Sequence, residues 1–383
     1  MLIDLTDAEP VTSGGKAAAL ARLLRAGLPV PPGFVVPTTA FVGTTADFSG
    51  TTADLPVELI DEITRALPRI GAGYLAVRSS ATSEDTAHAT GAGQHDTFLG
   101  VRGPDQVAEA VRRCWLSLWS ERAVAYRRRQ GDPRSPSIAV LVQRLVDADV
   151  AGVLFTGDDI RIEASWGLGA SVVSGHVTPD SWTLSGGDIT SRSLGTKRTR
   201  VDRTVTSEVA PADQERFCLT DDELTRLAQL GRRAADLLGG PQDVEWAIAG
   251  SRIWVLQSRP VTSALPPAPT AGGDAGEALT GTPGSPGRAT GPARVVRGPG
   301  DFARVRPGDV LVCRTTDPAW TPLFGVVAAV VTEIGGLLSH AAIVAREQGL
   351  PAVLAVPGAT TALTDGASVE VDGSTGRVVP LAP

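Results

Sequence analysis

His340 lies in the segment VVAAVVTEIGGLLSHAAIVAREQGLPAV. The segment reads as an apolar strand, a Gly335-Gly336 turn, Ser339 as candidate cap, and a helix from His340 to near Gly349. A histidine in a helix's first turn feels the positive end of the dipole, which lowers its pKa and keeps the imidazole neutral. Neutral imidazole is a nucleophile, and the free N–H groups of that turn would steady a phosphoryl group taken up by the ring. The plainer alternative is a polar residue that merely starts a helix. A second constellation lies upstream, in DVEWAI and RIWVLQSRP. A short turn over 249–252 makes these a hairpin, with Glu245 and Gln257 on one face and Arg259 two residues along the same face. A carboxylate and an amide oxygen there suit a magnesium ion held against a triphosphate, since hard cations take oxygen ligands. An ordinary half-exposed hairpin is the alternative.

Anion-binding chemistry is offered at two further places. Gly14-Gly15-Lys16 combines close backbone approach with a point charge. Lys16 in a first helical turn is disfavoured by the dipole, a penalty that a bound phosphate would reverse, although GGK also occurs in ordinary turns. In VRSSATSEDTAHATGAGQHDTFLGV, Arg78 leaves an apolar strand and can fork onto phosphate oxygens. Gly91, Gly93 and the Thr97 hydroxyl add a backbone-rich surface for phosphates. His88 and His95 have no partner at metal spacing and read as loop residues.

The elements that must carry these groups alternate between helix and strand. A helix capped by Ser13 runs to Arg25, with Leu20, Leu23 and Leu24 on one face and Gly27 as its stop. YLAVRSS, IAVLVQRLV and VAGVLF read as strands, and Val107, Val111, Trp115 and Leu118 predict a long amphipathic helix over Val107–Arg129. The run TSALPPAPTAGGDAG cannot bury a face and predicts a flexible linker over 262–278, with a root-mean-square span of about 20–25 Å. It separates a domain over 1–261 from one over 279–383. The expected fold class is α/β (α+β) with mixed sheets. In 383 residues, 35 Lys+Arg against 42 Asp+Glu give a charge of −7, which argues against nucleic-acid or anionic-membrane partners. The longest apolar stretches, such as Val326–Val331, fall far short of the ~20 residues of a membrane span. MLIDLTDAEP lacks a basic segment followed by an apolar one, so no signal peptide is expected. The three cysteines, Cys114, Cys218 and Cys313, form no CxxC pair and fit inert thiols in a cytoplasmic protein.

Taken together, GGKAAALARLL…GLPVPPGF, VRSSAT.ED…GAGQHDTFL, CWLSLWSERAVAYR, VQRLVDADVAGVLF, EASWGLGASVVSGHVTPD and PQDVEWAI…VLQSRP resemble an ATP-grasp domain. The closest likeness is to the phosphoenolpyruvate synthase, pyruvate phosphate dikinase and rifampin phosphotransferase group. GSPGRATGPARVV…PGDVLVCRTTDPAWTPLF…GGLLSHAAIVARE resembles that group's swivelling phosphohistidine domain. The resemblance implies that ATP gives its β-phosphoryl group to His340, leaving AMP and inorganic phosphate, and that the histidine domain passes the group to a small-molecule acceptor. It implies ATP binding by Lys16, Arg78, Gly93, Thr97, Gln143, Glu245, Gln257 and Arg259, with Glu245 and Gln257 also holding Mg2+. The family carries a third, acceptor module for which these residues leave no room. The expectation is therefore a complete small phosphotransferase. The alternatives are half of a split phosphoenolpyruvate synthase or drug phosphotransferase with a separate acceptor chain, and a non-catalytic ATP-binding regulator. TGDDIRI, after Phe155, departs from the family pattern in being short and lacking a proline.

Overall fold

The computed structural model describes residues 1–41, 55–82, 97–120, 137–203, 205–261 and 278–381. Gly91, Gly93, His88, His95 and linker residues 262–277 lie outside the described residues.

Two antiparallel sheets build the N-terminal part. The first joins β1 (Ile3–Asp4), β2 (Gly33–Val36), β3 (Leu75–Ala81), β4 (Thr97–Val101) and β5 (Ile138–Arg144) in the order β1-β2-β5-β3-β4. The second contains β6 (Val150–Phe155), β7 (Ile160–Trp166), β8 (Asp180–Ser185) and β9 (Asp188–Ser193). A small hairpin, β10 (Thr199–Asp202) and β11 (Val205–Glu208), stands apart, and the long hairpin β12 (Gln242–Ala249) and β13 (Arg252–Pro260) completes the second sheet as β13-β12-β6-β7-β8-β9. Every pairing among the described strands of these two sheets is antiparallel, and the expected mixed sheet is the one in the C-terminal module. Between Phe155 and Ile160 the chain makes only a tight connection, so the short TGDDIRI segment is a hairpin turn followed by β7.

One apolar core ties the two sheets together: Leu20 and Leu23 of helix α1 (Pro10–Arg25) pack with Leu141 of the first sheet and with Leu154 and Trp246 of the second. Helix α1 begins at Pro10, ahead of the expected Ser13 cap, and is broken at Gly14, where φ is 75° and ψ 168°. Proline suits a first helical turn because its missing N–H has no intrahelical partner there. The break makes Lys16 a first-turn residue of the helical segment that follows. On the far face of the first sheet, α2 (Val57–Ala66) and α3 (Gly103–Leu116) cover Val77, Val140 and Val142. Helix α3 starts earlier than predicted and passes after Leu116 into a 3-10 turn, where the Ser117 hydroxyl donates to the Cys114 carbonyl. That local bond competes with the helical ladder, a competition that apolar spacing does not register. Helix α4 (Asp221–Leu238) opens on a Thr220/Glu223 capping box and closes on left-handed Gly239.

The C-terminal module is one eight-stranded sheet: β14 (Leu279–Thr280), β15 (Thr282–Ser285), β16 (Arg288–Val296), β17 (Val310–Cys313), β18 (Ala329–Thr332), β19 (Ala352–Leu354), β20 (Ser368–Asp372) and β21 (Arg377–Pro380). Strands β16 to β19 run parallel, and β17 to β19 are buried along their whole length, because both of their faces are covered. Helix α5 (His340–Glu347) packs on one face through Ala341, Val344 and Ala345. All three cysteines are buried and unbridged, and burial pushes the Cys218 and Cys313 thiols up, so none is poised to react. No described helix is long and apolar enough to cross a membrane.

Candidate active site

The hairpin register sets the first group. Glu245 stands opposite Gln257, and Asp243 opposite Arg259, so all four side chains share a face of the sheet. A bulge after Glu245 shifts the register beyond it, which leaves this pairing at the end of the hairpin nearer the core of the site. Arg78 reaches into this face from β3: Nη1 donates to the Leu256 carbonyl at 2.7 Å, while Nη2 donates to Gln257 Oε1 and, at 3.2 Å, to Glu245 Oε2. Arg259 grips Asp243 Oδ2 with Nε and Nη2, both at 2.7 Å. Burial pushes the Asp243 carboxyl up against the pull of Arg259, and Oδ1 is left without a hydrogen-bond partner among the described residues.

Lys16 is brought to the same strand, its Nζ donating to the Ser79 carbonyl at 2.9 Å. This approach needs Gly14, because a Cβ at that position would lie 2.0 Å from the Ser80 carbonyl oxygen. Thr97 on β4 is the cross-strand partner of Arg78 and is exposed. Gln143 faces the same side of the first sheet, opposite Ala76 and Gly33, but it is buried and its amide donates to the Pro31 carbonyl at 3.0 Å. Its position shapes the wall of the site, and its amide hydrogen is already committed to the fold.

In the C-terminal module His340 opens α5 and is buried. Ser339 occupies the N-cap position as expected, yet its hydroxyl donates to the Gly336 carbonyl at 2.8 Å and accepts no capping hydrogen bond from a helix N–H. The Thr321 hydroxyl, which donates to the Pro318 carbonyl, lies 3.3 Å from His340 Nε2, and the Phe324 ring meets the imidazole edge-on with centroids 6.3 Å apart. Thr321 was not singled out from the sequence, although it lies within TTDPAWTPLF; Asp243 and Arg346 were missed as well. Arg346 of α5 is buried, donating Nη1 to the Gly284 and Leu337 carbonyls, and burial lowers its pKa to about 10.

The carrier loop rests against the N-terminal part. Leu338 packs with Val153, Phe155, Val172 and Val177, and the Thr315 hydroxyl donates to the Gly175 carbonyl at 2.7 Å. The module that carries His340 is thus in contact with the part that carries the charged hairpin face. Residues 50–270 match the family described as "Pyruvate phosphate dikinase, AMP/ATP-binding domain", and residues 305–376 match "PEP-utilising enzyme, mobile domain".

The chain belongs to the pyruvate phosphate dikinase AMP/ATP-binding family.

Its relatives include proteins named "Probable phosphoenolpyruvate synthase". The one from Methanothermobacter thermautotrophicus is 39% identical, with 96% of this chain and 61% of the relative aligned. The one from Archaeoglobus fulgidus is 38% identical, over 95% of this chain and 56% of the relative. The "Phosphoenolpyruvate synthase" of Pyrococcus furiosus is 38% identical, over 85% of this chain and 44% of the relative. The chain spans about half the length of the curated relatives it matches. All the site residues discussed above, apart from Lys16, fall within the two matched regions.

Proposed function

We propose that this chain carries out dikinase-type phosphotransfer, in which ATP phosphorylates His340 and the phosphorylated module hands the group to a small-molecule acceptor. The observation that carries this reading is the pairing of a family nucleotide-binding face with a histidine at a helix start in the family's mobile domain. An imidazole nitrogen of His340 attacks Pβ of ATP, the α–β anhydride bond breaks, and AMP leaves. Water then cleaves the β–γ anhydride, releasing inorganic phosphate and leaving one phosphoryl group on the ring.

Lys16, Arg78 and Arg259 supply positive charge for the triphosphate, and Thr97 supplies a hydroxyl at its edge. Glu245 Oε2 and Gln257 Oε1 fit Mg2+, because both oxygens converge on one guanidinium nitrogen and so lie close enough to share one small cation. When bound, Mg2+ would neutralise charge on the phosphate oxygens. Arg78, which holds both oxygens, keeps them in place. Gly93 and Gln143 complete the set implied by the resemblance. The relatives' name makes the pyruvate and phosphoenolpyruvate pair the first acceptor to try, with a separate acceptor chain as the variant of this reading. ATP as substrate and three buried free thiols suit the cytoplasm.

The test is the intact mass of the protein after incubation with Mg-ATP, with nucleotide analysis and a His340→Ala control. An acid-labile phosphoryl adduct with AMP, absent in the control, is expected. Folded protein that gives neither adduct nor AMP would overturn the reading.

A further inference from the structure

Glu163 lies on β7 of the N-terminal part and is 3% exposed. Within the described residues, its hydrogen bonds come from the other module: Oε1 accepts the Leu337 N–H at 2.7 Å and Oε2 the Leu338 N–H at 3.1 Å. Those amides belong to the loop that leads directly into His340. A carboxylate taken from water needs compensation, and nothing described within the N-terminal part provides a hydrogen bond to it. Burial raises its pKa to about 7, against the pull of the Leu337 and Leu338 N–H groups and, more weakly, of Arg346 and Arg161.

The loop is shaped to receive this group. A Cβ on Gly336 would lie 2.3 Å from Glu163 Oε2, so a side chain there would have to push the carboxyl group aside. Arg346 holds the carbonyl of Leu337 from within the C-terminal module while Glu163 takes its amide from across the interface. At the next position, Cβ of Ser339 lies 3.2 Å from where a side chain on Gly175 would begin.

We infer that Glu163 is the seat of the carrier loop, a positioning residue that docks Gly335–Ser339 on the nucleotide-binding part and so presents His340 to it. The docking stands on the contacts alone; the presentation of His340 for phosphorylation rests on the function proposed above. Removing the carboxylate leaves two loop amides buried without acceptors. Adding a methyl at Gly336 drives the carboxylate off them.

The experiment measures the distance between spin labels on Ser185→Cys and Thr361→Cys in the full chain, both exposed sites, with the native cysteines buried. Glu163→Ala and Gly336→Ala are each expected to lower the docking equilibrium at least tenfold. In the Glu163→Ala background the Gly336 substitution should do less, since the group it collides with is gone. Phosphorylation of His340 by ATP should slow at least tenfold in each variant with ATP affinity unchanged. Should Glu163→Ala fail to fold, Gly336→Ala, which lies outside the strands, still decides the matter. An unchanged distance distribution in Gly336→Ala and in every folded Glu163→Ala sample would overturn the seat. Distances that respond in a protein that ATP never phosphorylates would support the seat and sink the proposed function.

Discussion

In the nucleotide-binding part, Arg78, Glu245, Gln257, Asp243 and Arg259 hold one another across β3, β12 and β13, in positions set by antiparallel register. In the C-terminal module, His340 has the Thr321 hydroxyl at 3.3 Å and the edge of Phe324, and the loop that presents it is held from outside by Glu163. The first group is over-determined: each side chain has a partner fixed by a ladder of backbone hydrogen bonds. The second has contacts of its own inside the C-terminal module, but the Leu337 and Leu338 amides have the Glu163 carboxyl as acceptor only while the two modules touch. The difference suits a reaction in which one component must stay organised and the other must leave. It also separates the expected effects of mutation, since damage to the first group should be read in affinity and damage to the second in docking and rate.

The largest effect belongs to the carrier: His340→Ala should abolish the phosphoryl adduct while leaving ATP binding intact. Retention of an adduct would break the division between the two groups. Next, Arg78→Ala should weaken ATP binding by roughly tenfold to a hundredfold, the value of losing hydrogen bonds to charged partners. Calorimetric titration with Mg-ATP checks this, and the interdomain distance should not move. Docking should depend on pH through Glu163. Its pKa is raised to about 7 where the loop covers it, and exposure to water on undocking would return it towards the ordinary carboxyl range, so docking takes up a proton. The docked state is therefore fully favoured below the ordinary carboxyl range and loses ground as pH rises towards 7. Among the described residues, Arg346 and Arg161 act on this carboxyl, with Asp243 and Glu347 acting in turn on Arg346; the Leu337 and Leu338 N–H groups and the two arginines oppose the rise without cancelling it. Label distances at about pH 5 and about pH 8 should show the docked fraction falling. The smallest effect is a control: Thr220→Ala removes the capping box of α4 and should cost about 1 kcal/mol in thermal unfolding, with docking and ATP affinity untouched.

The charged hairpin face was the more legible half. Alternation along DVEWAI and RIWVLQSRP is enough to put Glu245, Gln257 and Arg259 on one face, and the strand register agrees. The start of α5 at His340 was equally open to reading, because a glycine pair and a serine punctuate the chain there. Glu163 was not. Along β7, Ile160, Ile162 and Ala164 alternate with Arg161, Glu163 and Ser165, a pattern that reads as one apolar face and one facing water. The polar face is covered by a loop 174 residues away, and no local periodicity encodes a contact of that range. Asp243 stands two residues before Glu245, where alternation puts it on the same face, and was passed over; Arg346 was not legible, since it binds the Gly284 carbonyl 62 residues away. Residues 121–129 of the helix expected over Val107–Arg129 lie outside the described residues; within the described ones, apolar spacing continues past Leu116 while the Ser117 hydroxyl already competes for the helical carbonyls.

The decisive measurement is a single-turnover quench with ATP labelled separately at the β and γ phosphorus. Dikinase chemistry predicts acid-labile label on His340 from β-labelled ATP, retained after γ-labelled phosphate has been released, with AMP formed in equal amount. Lasting label from the γ position with ADP as the product would contradict it, and would make this chain a simple kinase in which His340 is no carrier of the β-phosphoryl group.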